Sequence, residues 1–334
     1  MASVTRRLIR VAFGLGLILF VLFAVGYLWL YTPSISRAEL EQLYASAHSQ
    51  FLDLESGTRI HFRDEGRQDA PLTVVLLHGL ASSLHTWEGW VKMLADRYRV
   101  VTLDLPGHGL TGRTIEDQYD RLEMVAAITA VVDHLGLERF VIGGNSMGGE
   151  MAMAYTLAHP ERVIGLILVN SAGLRRRSSS QQVPIGFRIA QISWVRPLVR
   201  HVTPRALIAR SVAAVYADPD RLTPEVVDRY WKLLRMEGSR LALMKRFAVM
   251  VEEASLPVER IRQPTLVLWG REDRLIPLTI GEVLAQRLQH ARLVVLDGLG
   301  HVPQEEDPVR SLPPVEDFLV SLLQSDGQTE NKNP

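Results

Sequence analysis

Ser146 lies in a sequence context that suits a serine nucleophile. It is the third residue of Gly144-Asn145-Ser146-Met147-Gly148, a G-x-S-x-G pattern. An apolar run typical of a β-strand precedes the pattern, and a run typical of a helix follows it. This context predicts a nucleophile elbow, in which a sharp turn exposes the serine hydroxyl. The flanking glycines are needed because such a turn leaves no room for side chains two residues away.

An acid and a histidine follow two later apolar runs. Asp273 and His301 each come shortly after a run that predicts a buried β-strand. Functional groups in open parallel sheets gather outside the carboxyl ends of the strands, so we expect both side chains beside Ser146. In that arrangement His301 takes the proton of Ser146, and Asp273 orients the imidazole. Glu272 is the alternative acid, but the Gly-x-x-Asp-x-x-x-Pro setting favours Asp273.

Two backbone N–H groups are predicted to form an oxyanion hole. One belongs to Met147, at the start of the predicted helix, and the other to Leu80, just after His78-Gly79 at the end of another predicted strand. Donors placed there stabilise the negative charge that develops on a carbonyl oxygen. We interpret His78 as ordering this loop without transferring protons. Asp297 is predicted to be a turn residue, and His108 a turn residue that shapes the pocket floor. Trp87 and Trp90 are predicted to lie in the core.

Strands alternate with helices through most of the chain, and each predicted strand is a nearly continuous apolar run. This pattern predicts an α/β fold with a mostly parallel sheet and helices on both faces. The alternation stops over residues 171–256, which are helix-rich. We interpret that stretch as a helical cap inserted between two parts of a catalytic core, residues 50–170 and 257–324. The polar tail, residues 325–334, is predicted to be disordered.

The N-terminal segment has the composition of a membrane anchor. Residues 11–30 carry no charged side chain, and such a helix spans a hydrocarbon core of about 30 Å. The run exceeds the apolar region of a cleaved signal peptide, about 7–15 residues, so we predict an uncleaved signal anchor. Arg6, Arg7 and Arg10 precede it. Residues 1–10 are therefore predicted to be cytoplasmic and the rest extracytoplasmic, or periplasmic in a Gram-negative bacterium.

Two further segments are predicted to relate the core to the membrane. Residues 31–49 form a juxtamembrane tether, in which Ser36 and Glu39 have the spacing of a helix capping box. Residues 185–202 combine apolar residues at helical spacing with arginines, and residues 175–177 are all arginine. One interpretation is that the cap is a lipid-facing gate, because cationic amphipathic segments suit a membrane interface. The alternative is that the apolar residues roof the pocket and the arginines keep the outer face soluble.

Composition excludes several classes of function. The chain has 334 residues and no cysteine, so disulfides, thiol nucleophiles and thiolate metal sites are excluded. Its formal net charge is +0, and nothing in it indicates nucleic-acid binding. No metal-ligand spacing and no phosphate-binding glycine loop is present in the sequence, so no cofactor or metal is predicted. The sequence does not indicate an oligomeric state.

Taken together, the motifs resemble those of the α/β-hydrolase superfamily over about residues 50–323. The resemblance implies the α/β-hydrolase fold and a serine hydrolase with the triad Ser146, Asp273 and His301. It is carried by His78-Gly79, Asp104-Leu105-Pro106-Gly107-His108-Gly109, the elbow, Trp269-Gly270-Arg271-Glu272-Asp273 and Gly300-His301.

Within the superfamily, two resemblances compete. The elbow and Asn170-Ser171-Ala172-Gly173-Leu174 resemble the meta-cleavage-product hydrolases, which cut C–C bonds, although those enzymes usually carry a Gly-Pro-Gly-type loop where this chain has Gly79-Leu80-Ala81. The layout of anchor, tether and capped hydrolase is similar to that of membrane-bound monoacylglycerol lipases and related bacterial esterases, which we prefer. That resemblance implies small-molecule or lipid ester substrates. A catalytically silent binding protein on the same fold is the alternative from a different class.

Overall fold

Eight strands form one sheet in the computed structural model, which describes residues 2–174 and 201–330. The strands are β1 (Ser49–Asp53), β2 (Arg59–Gly66), β3 (Thr73–Leu77), β4 (Arg99–Leu103), β5 (Phe140–Asn145), β6 (Val163–Val169), β7 (Thr265–Gly270) and β8 (Ala291–Leu296). Their order in the sheet is β1-β2-β4-β3-β5-β6-β7-β8. Strands β3 to β8 are parallel, while β2 pairs antiparallel with both β1 and β4. The predicted α/β-hydrolase fold with a mostly parallel sheet is confirmed.

The described residues form twelve α-helices. They are α1 (Ala2–Leu30), α2 (Arg37–Tyr44), α3 (Glu88–Leu94), α4 (Arg121–His134), α5 (Met147–Ala158), α6 (Arg205–Ala213), α7 (Pro224–Leu234), α8 (Ser239–Glu252), α9 (Leu278–Arg287), α10 (Pro303–Glu306), α11 (Pro308–Ser311) and α12 (Pro313–Glu330). Helices α3, α4, α5, α9 and α12 cover the two faces of the sheet. Neighbouring residues of β5 point to opposite faces: Ile142 packs in the cluster with α4, α5 and α9, and Val141 in the cluster with α3 and α12. Burial on both faces is why the central strands β3, β5, β6 and β7 are nearly continuous apolar runs.

Trp87 and Trp90 belong to the core, as predicted. Both are fully buried, with ring centroids 5.1 Å apart. The predicted tail needs a correction, because α12 continues to Glu330 and residues 325–330 are helical. The buried Leu319 and Leu322 hold the preceding part of this helix in place. Each further residue then adds one backbone hydrogen bond, so polar residues can continue the helix.

The region between β6 and β7 lies over the carboxyl end of the sheet. Its described residues, 171–174 and 201–264, carry α6, α7 and α8 and form no strand beyond isolated bridges. The backbone N–H of His301 donates to the carbonyl of Val215 at 2.7 Å, which fixes this region above the end of β8. Residues 175–200, and with them the arginines at 175–177 and most of the predicted lipid gate, lie outside the described residues.

The N-terminal helix α1 includes one stretch, Arg10–Leu30, that is long and apolar enough to cross a membrane by length and composition, and no part of it is buried inside the protein. It leads into α2, whose N-cap is Ser36: the Ser36 hydroxyl accepts from the Glu39 backbone N–H at 3.3 Å. The hydroxyl half of the predicted capping box is therefore present.

The segment between these two helices is hydrogen-bonded to the cap region. The Thr32 N–H donates to His201 O at 2.7 Å, and the Ile35 N–H donates to Arg235 O at 2.9 Å. The buried guanidinium of Arg240 donates to Thr32 O at 2.8 Å and to the Ser34 hydroxyl at 2.9 Å. The tether is thus an integral part of the fold and not a free linker.

Candidate active site

The backbone at Ser146 has the conformation of a nucleophile elbow. Ser146 has φ 54° and ψ −117°, a conformation that L-residues rarely adopt. A Cβ on Gly144 would lie 2.2 Å from the carbonyl carbon of Gly148, and a Cβ on Gly148 would lie 2.1 Å from Leu77 O. Both glycines are therefore required by close packing of α5 against β5 and β3, as the sequence pattern predicts.

His301 and Asp273 form a buried pair at the ends of β8 and β7. The His301 Nδ1 lies 2.7 Å from Asp273 Oδ2. Because a carboxylate only accepts, Nδ1 carries the proton and Nε2 is left with its lone pair. The other oxygen, Asp273 Oδ1, accepts from the N–H groups of Leu275 and Ile276 at 2.8 and 2.9 Å. The carboxylate is therefore fixed in a single orientation toward the imidazole.

Asn170, to which the sequence analysis gave no role, completes the environment of Asp273. Its amide Nδ2 donates to Asp273 Oδ2 at 2.6 Å, and its Oδ1 accepts from the Gly270 N–H at 3.1 Å. Asn170 follows β6 directly and has φ 46°. The sequence could have indicated Asn170 because it is a polar residue directly after a predicted strand. Asparagine also tolerates the left-handed backbone conformation found there.

The loop after β3 and the elbow are brought against each other and against the histidine. A Cβ on Gly79 would lie 3.3 Å from the Ser146 Cβ. On the other side, the Asn145 side-chain amide donates to His301 O at 2.8 Å. The loop that carries Leu80, the elbow with Ser146 and Met147, and the loop of His301 with its partner Asp273 therefore lie against one another.

The two predicted oxyanion donors are not used in hydrogen bonds among the described residues. Within residues 2–174 and 201–330, neither the Leu80 N–H nor the Met147 N–H makes a hydrogen bond. Met147 is the first residue of α5, where the helix dipole favours negative charge. Both N–H groups are therefore free to donate, as the prediction of an oxyanion hole requires.

His78 holds the loop that carries Leu80. Its Nδ1 donates to Gly79 O at 2.8 Å, and its Nε2 accepts from the Leu105 N–H at 3.0 Å. Burial lowers the pKa of His78, which favours the neutral ring that this pattern of one donor and one acceptor needs. These contacts agree with the interpretation of His78 as a residue that orders the loop. Among the described parts of the chain, no group of three His, Asp or Glu side chains is placed to hold a metal ion.

A buried carboxylate links the histidine loop to the cap region. Glu306 Oε2 accepts from the Gly300 N–H at 2.7 Å, one residue before His301. Glu306 Oε1 accepts from the N–H groups of Ala217 and Asp218, both at 2.9 Å. Three charge-assisted hydrogen bonds to backbone donors on two separate segments fix the position of the loop.

We expect Glu306→Ala to lower kcat by about tenfold to a hundredfold, because small displacements of a reacting group have effects of this size. KM should change less than kcat, since Glu306 holds the loop of the catalytic histidine directly and the cap only through the backbone of Ala217 and Asp218. Steady-state kinetics on a soluble ester would measure both. Glu259→Gln, which removes a carboxylate from an exposed ion pair with Arg287, is the matched control and should leave kcat unchanged. A normal kcat in Glu306→Ala would mean that the loop does not depend on this clamp.

Comparison with known proteins places the chain in a family. The sequence model of the family described as "alpha/beta hydrolase fold" matches residues 73–308. The chain therefore belongs to the alpha/beta hydrolase fold family, and it is an enzyme of the serine hydrolase class.

Two kinds of hydrolase occur among the relatives. The chain is similar to a 2-hydroxy-6-oxo-6-phenylhexa-2,4-dienoate hydrolase from Comamonas testosteroni, at 28% identity over 258 residues, covering 74% of this chain and 86% of the relative. It is also similar to the monoacylglycerol lipase abhd6-B of Xenopus laevis, at 27% identity over 271 residues, covering 78% of each chain. Among solved structures, a bacterial membrane phospholipase A superposes with a TM-score of 0.70 at 25% identity, covering 93% of this chain and 98% of that one.

Proposed function

We propose that this protein is a membrane-anchored serine hydrolase that cleaves carboxylic esters, with lipid-derived acyl esters such as monoacylglycerols as substrates. The observation that carries the proposal is the hydrogen-bonded His301–Asp273 pair beside a serine in elbow conformation. It supplies a base, its orienting acid and a nucleophile in the arrangement used for acyl transfer.

The proposed reaction has two halves. In the first, Ser146 Oγ attacks the ester carbonyl carbon while His301 Nε2 takes the hydroxyl proton, and the Leu80 and Met147 N–H groups bind the oxyanion. The bond to the alcohol oxygen then breaks, and His301 returns the proton to that oxygen. In the second half, water attacks the acyl carbonyl carbon while His301 takes its proton. The bond to Ser146 Oγ then breaks, the carboxylic acid leaves, and His301 returns the proton to Ser146 Oγ. Removing one oxyanion donor from such a site costs about a hundredfold to a thousandfold in kcat.

The tether supports placing this chemistry at a membrane. The apolar stretch Arg10–Leu30 ends one residue before Tyr31, which forms a β-bridge with Val202 of the cap region. A helix anchored in a bilayer would therefore hold the cap close to the lipid surface. The arginines before the helix favour a cytoplasmic N-terminus, with the catalytic domain extracytoplasmic, or periplasmic in a Gram-negative bacterium.

Relatives support lipid esters and supply the second candidate. The monoacylglycerol lipase and the membrane phospholipase A are named for lipid ester hydrolysis. The dienoate hydrolase supports the alternative of C–C bond cleavage on a meta-cleavage product. We prefer esters because the chain carries the membrane-length helix and a docked tether.

A substrate panel tests the proposal. We expect p-nitrophenyl esters of increasing acyl length and a monoacylglycerol to be hydrolysed, and a meta-cleavage dienoate to be left intact. The measurement is kcat/KM for each compound, with Ser146→Ala as the blank for uncatalysed turnover. Rapid cleavage of the dienoate with negligible ester turnover would replace the proposal with its alternative.

A further inference from the structure

The loop that carries the proposed oxyanion donor Leu80 has a strained backbone. Ala81, the next residue, has φ 60°, a left-handed conformation that residues other than glycine adopt only at a cost in energy. Within the turn itself, the Ser82 N–H donates to Gly79 O at 3.3 Å, which is a long hydrogen bond. A loop in such a conformation keeps one shape only when contacts from outside the loop hold it there.

Contacts with the core fix the two ends of this loop. His78 holds its start, and the Leu84 N–H at its end donates to the buried carboxylate of Asp104 at 2.8 Å. Between these ends, the side chain of Ser82 contacts the cap region. Its Oγ lies 3.1 Å from the hydroxyl oxygen of Tyr230, a residue of α7. This hydrogen bond therefore joins the middle of the loop to the cap.

Glu305 sets the direction of the hydrogen bond between Ser82 and Tyr230. The Tyr230 O–H donates to Glu305 Oε2 at 2.7 Å, so its one proton is used and Ser82 is the donor to the Tyr230 oxygen. Desolvation raises the pKa of the Tyr230 hydroxyl, which therefore keeps the proton that it donates. Ser82, Tyr230 and Glu305 form a chain in which each hydroxyl donates to the next oxygen.

The carboxylate of Glu305 is itself held in place. Its Oε2 also accepts from the Thr86 hydroxyl at 2.8 Å, and its Oε1 accepts from the Arg229 guanidinium at 3.0 Å. The next residue, Glu306, joins the histidine loop to the cap. The short helix α10 thus carries two adjacent carboxylates, one bonded to the loop of the catalytic base and the other, through Tyr230, to the loop of the oxyanion donor.

We propose that Tyr230 is a positioning residue for the oxyanion hole. Through Ser82 it holds the strained loop in the shape that directs the Leu80 N–H toward the developing oxyanion. The inference rests on the proposed function and deepens it. Because Tyr230 belongs to the cap region, the oxyanion hole is complete only when α7 is docked on the core, so docking of the cap and assembly of the catalytic site are coupled.

The test uses Tyr230→Phe, which removes the hydroxyl and keeps the ring, together with a trifluoromethyl ketone as a probe of the oxyanion hole. Ser146 Oγ adds to the ketone carbon, its proton passes to His301, and the former carbonyl oxygen becomes an oxyanion that the hole binds. We expect kcat on a p-nitrophenyl ester to fall about tenfold and the inhibition constant of the ketone to rise about tenfold, because a displaced donor is weakened and not lost. KM should change much less, since the bound ester carries no oxyanion.

Two further variants sharpen this test. Tyr98→Phe is the matched control, because the Tyr98 hydroxyl is buried and has no hydrogen-bond partner within residues 2–174 and 201–330. It should keep the wild-type kcat and inhibition constant. Ser82→Ala should reproduce the effects of Tyr230→Phe, and the double variant should be no worse than either single one, because both changes break the same contact. Melting temperatures show that each variant is folded.

The outcomes separate this inference from the proposed function. If the wild type hydrolyses the ester and Tyr230→Phe keeps its kcat, or loses kcat with no change in the inhibition constant, the role of Tyr230 is overturned and ester hydrolysis stands. Losses that add in the double variant would overturn the route through Ser82. If the wild type neither hydrolyses the ester nor binds the ketone, the proposed function fails and the inference falls with it.

Discussion

Ser146→Ala is expected to abolish ester hydrolysis while the protein remains folded. Loss of the nucleophile from a triad lowers kcat by about a millionfold in a well-studied serine protease, and an effect of that order is expected here. Alanine keeps the Cβ, so the packing around Gly79 is unchanged. The measurement is kcat on a p-nitrophenyl ester, with the melting temperature as evidence of folding.

Two further substitutions serve as controls for the assignment. His301→Ala should be about as severe as the serine change, since no other base is predicted at this site. Asp273→Asn should lower kcat by about 10⁴-fold, because an amide in place of the carboxylate favours the wrong imidazole tautomer. Near-normal hydrolysis by Ser146→Ala would contradict the proposed mechanism.

Deleting residues 1–30 is expected to move the protein from the membrane fraction to the soluble fraction with its fold intact. Activity on esters in vesicles should fall by about a hundredfold at low enzyme concentration, because tethering to the bilayer raises the effective substrate concentration. Activity on a soluble short-chain ester should persist. Fractionation and paired assays on vesicles and soluble ester measure both effects.

A longer deletion, of residues 1–36, tests the docking of the tether. It also takes away Thr32 O and Ser34 Oγ, two acceptors of the buried Arg240 guanidinium. We expect the melting temperature to fall by about 5 °C relative to the shorter deletion.

Recovery of the full-length protein in the soluble fraction would contradict the anchor. Protease digestion of the catalytic domain from the cytoplasmic side would contradict the orientation.

The catalytic groups were accessible from sequence because their signals are local. The elbow glycines are separated from Ser146 by one residue each, and their need follows from clashes within one turn. Asp273 and His301 were identified by their positions after buried strands, since parallel strands bring their ends to one edge. The sheet itself was predictable because strands buried on both faces are continuous apolar runs.

The residues that sequence analysis missed depend on pairings between distant segments. Glu306 has partners in the cap region, and Asn170 has its partner, Asp273, in the loop after another strand. Neither pairing leaves a periodic pattern, and an isolated Glu or Asn is common on surfaces. The docking of residues 31–35 on the cap was missed for the same reason. The sequence of this segment predicts a tether, but backbone hydrogen bonds hold it against the cap. Such bonds do not depend on side-chain identity.

The central claim, that Ser146 is an activated nucleophile, is tested most directly by covalent labelling. A fluorophosphonate reacts with a serine activated by its histidine and leaves an adduct that peptide mass spectrometry can locate. The account predicts one adduct on the wild-type protein, on Ser146, its loss in Ser146→Ala and a much slower reaction in His301→Ala. No adduct on the folded wild-type protein, or an adduct on another residue with Ser146 unmodified, would contradict it.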